Sequence, residues 1–362
     1  MFGLFDMKLM HFVAAPAAGG AEVYAKDLCR AMVQKGHEVH LVFLSRAEEI
    51  GRDPDYEERY LNEIDTAGVT YSFMPPGSRR RPFKAGLFLR NIVSDFSPDL
   101  LHCHLYYAVF FSFFVSSVPV VYTHHNIFLK VPALLYRVFD FRVSAYIGIS
   151  QACAKLLRSV SGKAVHRIDN GVDFERVLPV AARREVAPHI AMVGTLCEQK
   201  NYDLFLEAAA LLLDLDFSVS IAGEGESKAR LLRKVDDLGL ARKVTFLGNI
   251  SSVKELLAGV DIFAMSSSWE GLPISLLEAT AAGLPSIVTN VGGCSEVIHS
   301  CQSGVVVDEQ TPQEYAQALR SLIESHESRC FYGCNASRYS SKYSIRYSAE
   351  RHLALYDQLV RS

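Results

Sequence analysis

Short apolar runs alternate with amphipathic stretches along the whole chain. Runs such as LMHFVAA, EVHLVFL and FSVSIAG are bounded by Gly, Pro, Ser or charged residues, the pattern of buried strands. Between them, segments such as AEVYAKDLCRAM place apolar residues three and four apart, which is helical spacing. Strand and helix in regular alternation predict an α/β protein with parallel sheets and crossover helices. In the first half the strands are expected near Leu9–Ala15, Glu38–Leu44, Thr70–Met74, Leu100–His102, Val118–Thr123, Ala145–Ile149 and Val165–Ile168. The second half predicts them near His189–Val193, Ser218–Ala222, Val244–Leu247, Ile262–Met265, Ser286–Thr289 and Gly304–Val307.

The stretch from Asp169 to His189 is polar, with two prolines and an Arg-Arg pair, and reads as a linker between the halves. At 362 residues the chain is long enough for two domains. Two Rossmann-like units facing each other would leave a cleft, with strand carboxyl-edge loops pointing into it. The run Leu105–Tyr122 approaches a membrane span in length. His102 and His104 precede it, Pro119 interrupts it, and His124 and His125 follow, so a buried helix and then a strand fit better. Residues Tyr343–Val360 read as a final amphipathic helix.

Composition narrows the classes. Hydrophobic residues make up 49%, so two cores can be built. A net charge of -3 gives no general attraction to nucleic acid. Eight cysteines without CxxC spacing look like reduced thiols of a cytoplasmic protein. The first residues, MFGLFD, lack the basic region of a secretory signal. His326, Cys330 and Cys334 fall four apart on one helix face, but zinc needs a fourth ligand and a tighter arrangement, so no metal is expected there.

The most informative segment is EGLPISLLEATAAGLPSIVT, Glu270 to Thr289. Glu270 is expected in a strand-to-helix loop, and Glu278 about two turns into the following helix. Pro273 suits the first helical turn, where free N–H groups favour an anion. Two solvated helix-end carboxylates would be the plain alternative. Other carboxyl-edge loops converge with this one: Gly194 to Lys200 after one strand, Gly223-Glu224-Gly225 after the next, and Gly248-Asn249-Ile250 after a third. In the first half, Gly19 and Gly20 permit a close backbone approach that would cradle a phosphate, or simply make a turn.

These motifs carry a resemblance. VGTLCEQKN, IAGEGE, VTFLGNIS, TNVGGCSEVI, NGVD and the two glutamates with seven residues between them resemble the retaining glycosyltransferases of family 4. The resemblance implies the GT-B fold. It implies an N-terminal acceptor-side domain at 1–172, a nucleotide-sugar domain at 173–342, and a C-terminal helix at about 343–362 crossing back. It also implies transfer of a hexose or hexosamine from a UDP- or GDP-sugar to a glycan or lipid-linked acceptor, with no cofactor and no metal. Carried over by position, Glu278 would bind the ribose hydroxyls and Glu270 the donor sugar, with the backbone of Gly271, Leu272, Pro273 and Ile274 on sugar and phosphate. Lys200 would stabilise the leaving diphosphate, and Asn249 and Ile250 would meet the base. His125 would approach the sugar, with His124 adjacent. Gly19, Gly20, Thr195 and Glu224 complete the expected donor site. Thr195 stands where the family usually has arginine, so one of two expected cations is missing from its place.

Two Asp-x-Asp sequences, at Asp214–Asp216 and Asp53–Asp55, are read as turns rather than metal sites, the first at the amino edge of the sheet. Arg79, Arg80, Arg81, Lys84 and Arg90 lie beside Phe83, Leu87, Phe88 and Leu89. Such a segment can rest on anionic lipid or be a helix with a solvated cationic face. The first would give a cytoplasmic protein a peripheral place on the cytoplasmic face of the membrane, with cell-surface polysaccharide, lipopolysaccharide or glycoconjugate synthesis as the setting. The competing readings are a nucleotide-sugar epimerase of the same fold and an inactive nucleotide-sugar-binding scaffold.

Overall fold

A computed structural model of the chain describes residues 6–115, 118–177, 185–250 and 252–361. The start of MFGLFD, two residues of the Leu105–Tyr122 run and the middle of the linker lie outside the described residues. The chain divides into two compact units, Met1–Gly171 with Ile345–Ser362, and Val172–Ser344.

In the first unit seven strands form one parallel sheet: β1 Lys8–Val13, β2 Glu38–Phe43, β3 Thr70–Phe73, β4 Leu100–Cys103, β5 Val120–His124, β6 Ala145–Gly148 and β7 Val165–Arg167. Their order is β3-β2-β1-β4-β5-β6-β7. The order reverses between β1 and β4, and ligands favour the carboxyl end of such a switch point. Side chains alternate across a strand, so Met10, Phe12, Leu101, Cys103 and Tyr122 fill an apolar core on one face. The other face of β1 and β4 is unusual: it carries His11 opposite His102. The C-terminal helix, Ile345–Val360, supplies Leu353 and Tyr356 to the buried part of this unit. Tyr24, on the helix Gly20–Val33, is hydrogen-bonded to Ser348 of that C-terminal helix at 2.8 Å.

The second unit holds six parallel strands: β8 His189–Val193, β9 Ser218–Ala222, β10 Val244–Gly248, β11 Ile262–Met265, β12 Ser286–Thr289 and β13 Gly304–Val307. The order is β10-β9-β8-β11-β12-β13, with the switch between β8 and β11. Its core is built from Ile190, Phe205, Ile221, Ile262, Ile287, Leu319 and their neighbours. Arg329 is wholly buried there. Its guanidinium donates to the carbonyls of Leu322, Ile323 and Glu185, which satisfies the end of the helix Pro312–Glu324.

Every expected strand is present, five of the six in the second unit with the expected bounds and the others with ends shifted by at most two residues. The Leu105–Tyr122 run holds the helix Tyr106–Ser112 and then enters β5. Asp214 lies in the turn between the helix Tyr202–Ala210 and β9, paired with Arg320. Asp53 differs from a plain loop: its carboxylate accepts from the Asp55 N–H and caps the helix Pro54–Thr66. Pro273 is also displaced by one position. It is the N-cap of the helix Ile274–Ala281, so Glu278 sits just over one turn in rather than two. Proline forces extended backbone on the residue before it, and its own ψ here is extended at 127°.

Candidate active site

In the second unit, close backbone packing brings the carboxyl-edge loops together. Gly223 has φ +143 and passes so near the β8 loop that a Cβ would lie 2.0 Å from the Gly194 carbonyl oxygen. Gly292, with φ +50, passes as closely under the Glu270 carbonyl, and Gly293 donates to the Gly271 carbonyl at 2.9 Å. Only glycine fits both places. The β11 loop is in turn tied to the β8 loop. The Ser266 hydroxyl donates to the Asn201 carbonyl at 2.9 Å, and the Ser268 N–H to the Gln199 carbonyl at 2.8 Å.

These ties set Lys200 against Glu270. The ammonium donates to Oε1 of the carboxylate at 2.6 Å, and the Ser267 hydroxyl donates to the same oxygen at 2.8 Å. Glu270 is 5% exposed, so this pair sits in a largely water-free setting. Burial acts to lower the pKa of Lys200, but the Glu270 charge outweighs it and the ammonium titrates above its usual range. The pair therefore sets an ammonium against a carboxyl group at the switch point. Ser267 was not singled out from the sequence, where the run SSS reads only as a loop.

Around that pair, Gly271 to Ile274 are buried and lead into the helix Ile274–Ala281, whose N-terminus no side chain caps. Glu278 is half-buried on that helix. Thr195 is half-buried beside Gly194. Glu224 accepts from Lys228 at 2.5 Å and rests over Gly248, while Asn249 is exposed and Ile250 half-buried.

The remaining site residues belong to the first unit. Gly19 is the N-cap of the helix Gly20–Val33. The Glu22 side chain folds back over it, its Oε2 only 2.1 Å from where a Gly19 Cβ would be. Burial raises the Glu22 pKa. The chain's own carboxyl group thus stands where the loop was expected to cradle a phosphate, an occupant that sequence reading missed. His124 and His125 separate clearly, because neighbours leave a strand on opposite faces. His124 ends β5 and points toward Tyr122 in the apolar core, Nδ1 3.2 Å from the hydroxyl. His125 turns to the histidine face, with Nε2 2.9 Å from Nδ1 of His104.

The chain matches known proteins along nearly all of its length. A model of Glycosyltransferase Family 4 matches residues 18–176, and one of Glycosyl transferases group 1 matches 174–338. The D-inositol 3-phosphate glycosyltransferase of Paenarthrobacter aurescens is 27% identical over 95% of this chain and 94% of its own. An N,N'-diacetylbacillosaminyl-diphospho-undecaprenol alpha-1,3-N-acetylgalactosaminyltransferase of Campylobacter jejuni is 29% identical over 63% and 64%. Among solved structures, HepE of Anabaena in complex with UDP and glucose superposes with a TM-score of 0.81 at 17% identity, over 98% of this chain and 100% of that one. Two Rossmann-like units, each with a parallel sheet wound in the order seen here, make the GT-B fold. With the two family models meeting at the boundary between the units, the chain belongs to glycosyltransferase family 4.

Proposed function

We propose that the chain transfers a hexose or hexosamine from a UDP- or GDP-sugar to a glycan or lipid-linked acceptor, with retention at the anomeric carbon and without a metal. The observation that carries this reading is the Lys200–Glu270–Ser267 cluster beside an uncapped helix N-terminus. The diphosphate would lie on the N–H groups of Ile274 and its neighbours and on Lys200, both of which favour negative charge. Glu270 spends one oxygen on Lys200 and Ser267, which leaves Oε2 for a sugar hydroxyl. Glu278 would accept from both ribose hydroxyls, and Asn249 and Ile250 would meet the base through backbone atoms. His125 is proposed as the first unit's group on the sugar. Among the described residues no carboxylate is evidently placed as a nucleophile, so departure and attack on one face, with the diphosphate oxygen taking the acceptor proton, is the simpler course. HepE was crystallised with UDP and glucose, and the Campylobacter relative is named for a diphospho-undecaprenol acceptor; both favour this substrate class.

The test is transfer from UDP- and GDP-sugars in EDTA, with wild type and Glu278→Ala. Activity should survive the chelator. The variant should bind free nucleotide diphosphate more weakly by about 1.5–3 kcal/mol, the worth of hydrogen bonds to a charged group. Loss of activity in EDTA that Mn²⁺ restores would overturn the metal-free reading. Unchanged diphosphate binding by a folded variant would overturn the ribose assignment. Inertness toward every donor would favour the inactive scaffold, which Thr195 makes the specific rival.

We also propose that the first unit rests on a membrane surface. Arg79, Arg80, Arg81, Lys84 and Arg90 are exposed together with Phe83, Leu87 and Phe88, on and just before the helix Pro82–Phe96. Phe83 is 74% exposed, which is unfavourable in water and natural at a lipid interface. Among the described residues no helix is long and apolar enough to cross a membrane. Sedimentation with vesicles should show binding that rises with phosphatidylglycerol content and is lost in Arg80→Glu/Phe83→Asp. Equal binding to neutral and anionic vesicles would sink the idea.

A further inference from the structure

The histidine face of the first unit holds more ordered polar chemistry than packing requires. Nδ1 of His11 lies 3.1 Å from Nε2 of His104, and Nδ1 of His104 lies 2.9 Å from Nε2 of His125. The three rings thus form one hydrogen-bonded chain from β1, past the end of β4, to the end of β5. His11–His104 and His104–His125 are stacked, with centroids 5.4 and 5.2 Å apart. His102 stands beside the chain, bonded instead to Thr123 at 2.6 Å and to the Tyr356 hydroxyl at 2.5 Å. At the two ends, Nε2 of His11 and Nδ1 of His125 are buried without a partner.

A neutral imidazole has one N–H and one lone pair. Burial holds His11 and His125 neutral, each lowered to about 3, and His104 well below its usual value. In such a chain one choice of tautomer sets the rest. If His125 donates from Nε2, His104 must donate from its own Nε2 and His11 carries its proton on the free nitrogen. If the direction is reversed, the proton of His125 moves to Nδ1. In both cases Nε2 of His125 is committed to His104, and Nδ1 is the nitrogen left over. Burying such an atom unpaired is costly, so a partner supplied from outside the protein would be favoured there.

We propose that His104 is a positioning residue for His125: by bridging it to His11 it ties the tautomer of His125 to one direction of the hydrogen-bonded chain and leaves Nδ1 for a hydroxyl of the sugar substrate. This rests on the reading of His125 as a residue of the active site. Nitrogens of His11, His102 and His104 also lie within 4.8 Å of one another, a spacing that admits a divalent metal. The hydrogen-bonded chain is favoured because these rings are already partnered by one another, by Thr123 and by Tyr356, with no carboxylate among those partners to offset a buried dication.

The experiment compares wild type, His125→Ala, His104→Leu and His104→Gln by kcat, donor KM, melting temperature and the ¹⁵N shifts of labelled histidine rings. His104→Leu should lower kcat by about 10- to 100-fold, the scale of a slightly misplaced group, with donor KM little changed. Gln offers one donor and one acceptor and should recover most of the rate, although both variants lose the ring. In wild type the shifts should report one tautomer for His125, and His104→Leu should change it without any substrate present. A fully active His104→Leu, mixed His125 tautomers in wild type, or one bound zinc per purified chain would each overturn the proposal. If instead His125→Ala is fully active while the His125 shifts still follow residue 104, the positioning holds and the role of His125 in transfer is what fails.

Discussion

Lowering the pH from 7 to 5 should strip the first unit of most of its stability while the second unit changes little. His11, His102, His104, His124 and His352 are each no more than 6% exposed. Burial is the largest cause holding all five below the usual histidine value: to about 3 for His11, about 4 for His124 and His352, and well below 6.5 for His102 and His104. Unfolding returns each ring to water, where it takes up a proton near pH 6.5. Between the folded and unfolded values the unfolded chain therefore binds more protons. The contribution is fully present above pH 6.5 and is lost as the pH falls toward 4. Each ring costs about 1.4 kcal/mol per pH unit in that window. At pH 5 His11, His124 and His352 together amount to on the order of 6 kcal/mol, and His102 and His104 act in the same direction, so the loss is comparable with the whole stability of a domain. Hydrogen exchange as a function of pH should show strands β1, β4 and β5 losing protection before β8 and β11. If protection in those strands is flat from pH 7 to 5, the rings are not buried neutral, and the hydrogen-bonded chain through His104 loses its physical basis as well.

The strands were legible because each is a short apolar run between breakers, and thirteen such runs leave little freedom in an α/β chain. The Glu270 loop stood out for a different reason. Glu270 and Glu278 stand in a stretch that otherwise reads as buried, and a carboxylate there needs a partner or a ligand. What could not be read was the partner itself. Ser267 is one serine of three in a row, and nothing local distinguishes the one whose hydroxyl meets Glu270. Glu22 lies three residues past Gly19, and its fold back over the helix start depends on side-chain torsions. The histidine chain is long-range in the same way. His11, His104 and His125 are far apart in sequence and meet only because β1, β4 and β5 are neighbours in the sheet. His104 was visible only as a flank of an apolar run, where its value was to argue against a membrane span, and His125 was singled out only through the family resemblance.

Lys200→Ala should reduce transfer by about 100- to 1000-fold, or about 2.7–4 kcal/mol of barrier, the usual loss when a donor to developing negative charge is removed. On the proposed reading, with Thr195 where the family usually has arginine, Lys200 is the cation that the β8 loop would offer to a leaving diphosphate. Its ammonium has three N–H donors, so it can keep Glu270 and still meet a phosphate oxygen. The charge it meets grows as the sugar departs, so kcat should fall more than donor affinity. Stability is a competing cause, because removing one member of a buried pair leaves Glu270 facing Ser267 alone. Such a loss costs about 3–5 kcal/mol for a fully buried pair, and less here because the lysine side chain is 17% exposed. Lys200→Ala combined with Glu270→Gln separates the two. The double variant removes the stranded charge and should regain melting temperature, while turnover is read in Lys200→Ala itself at a temperature where it is folded, because Glu270 is also proposed to hold the donor sugar. Thr195→Arg in the wild-type background should leave transfer unchanged or raise it, since it returns a second cation to a site shaped for anions. A well-folded Lys200→Ala that turns over normally would mean the diphosphate lies elsewhere, and the Lys200–Glu270 pair would then be a strut of the fold. If wild type is inert and Thr195→Arg gains transfer, the missing arginine is the lesion that silenced an enzyme whose remaining site is intact.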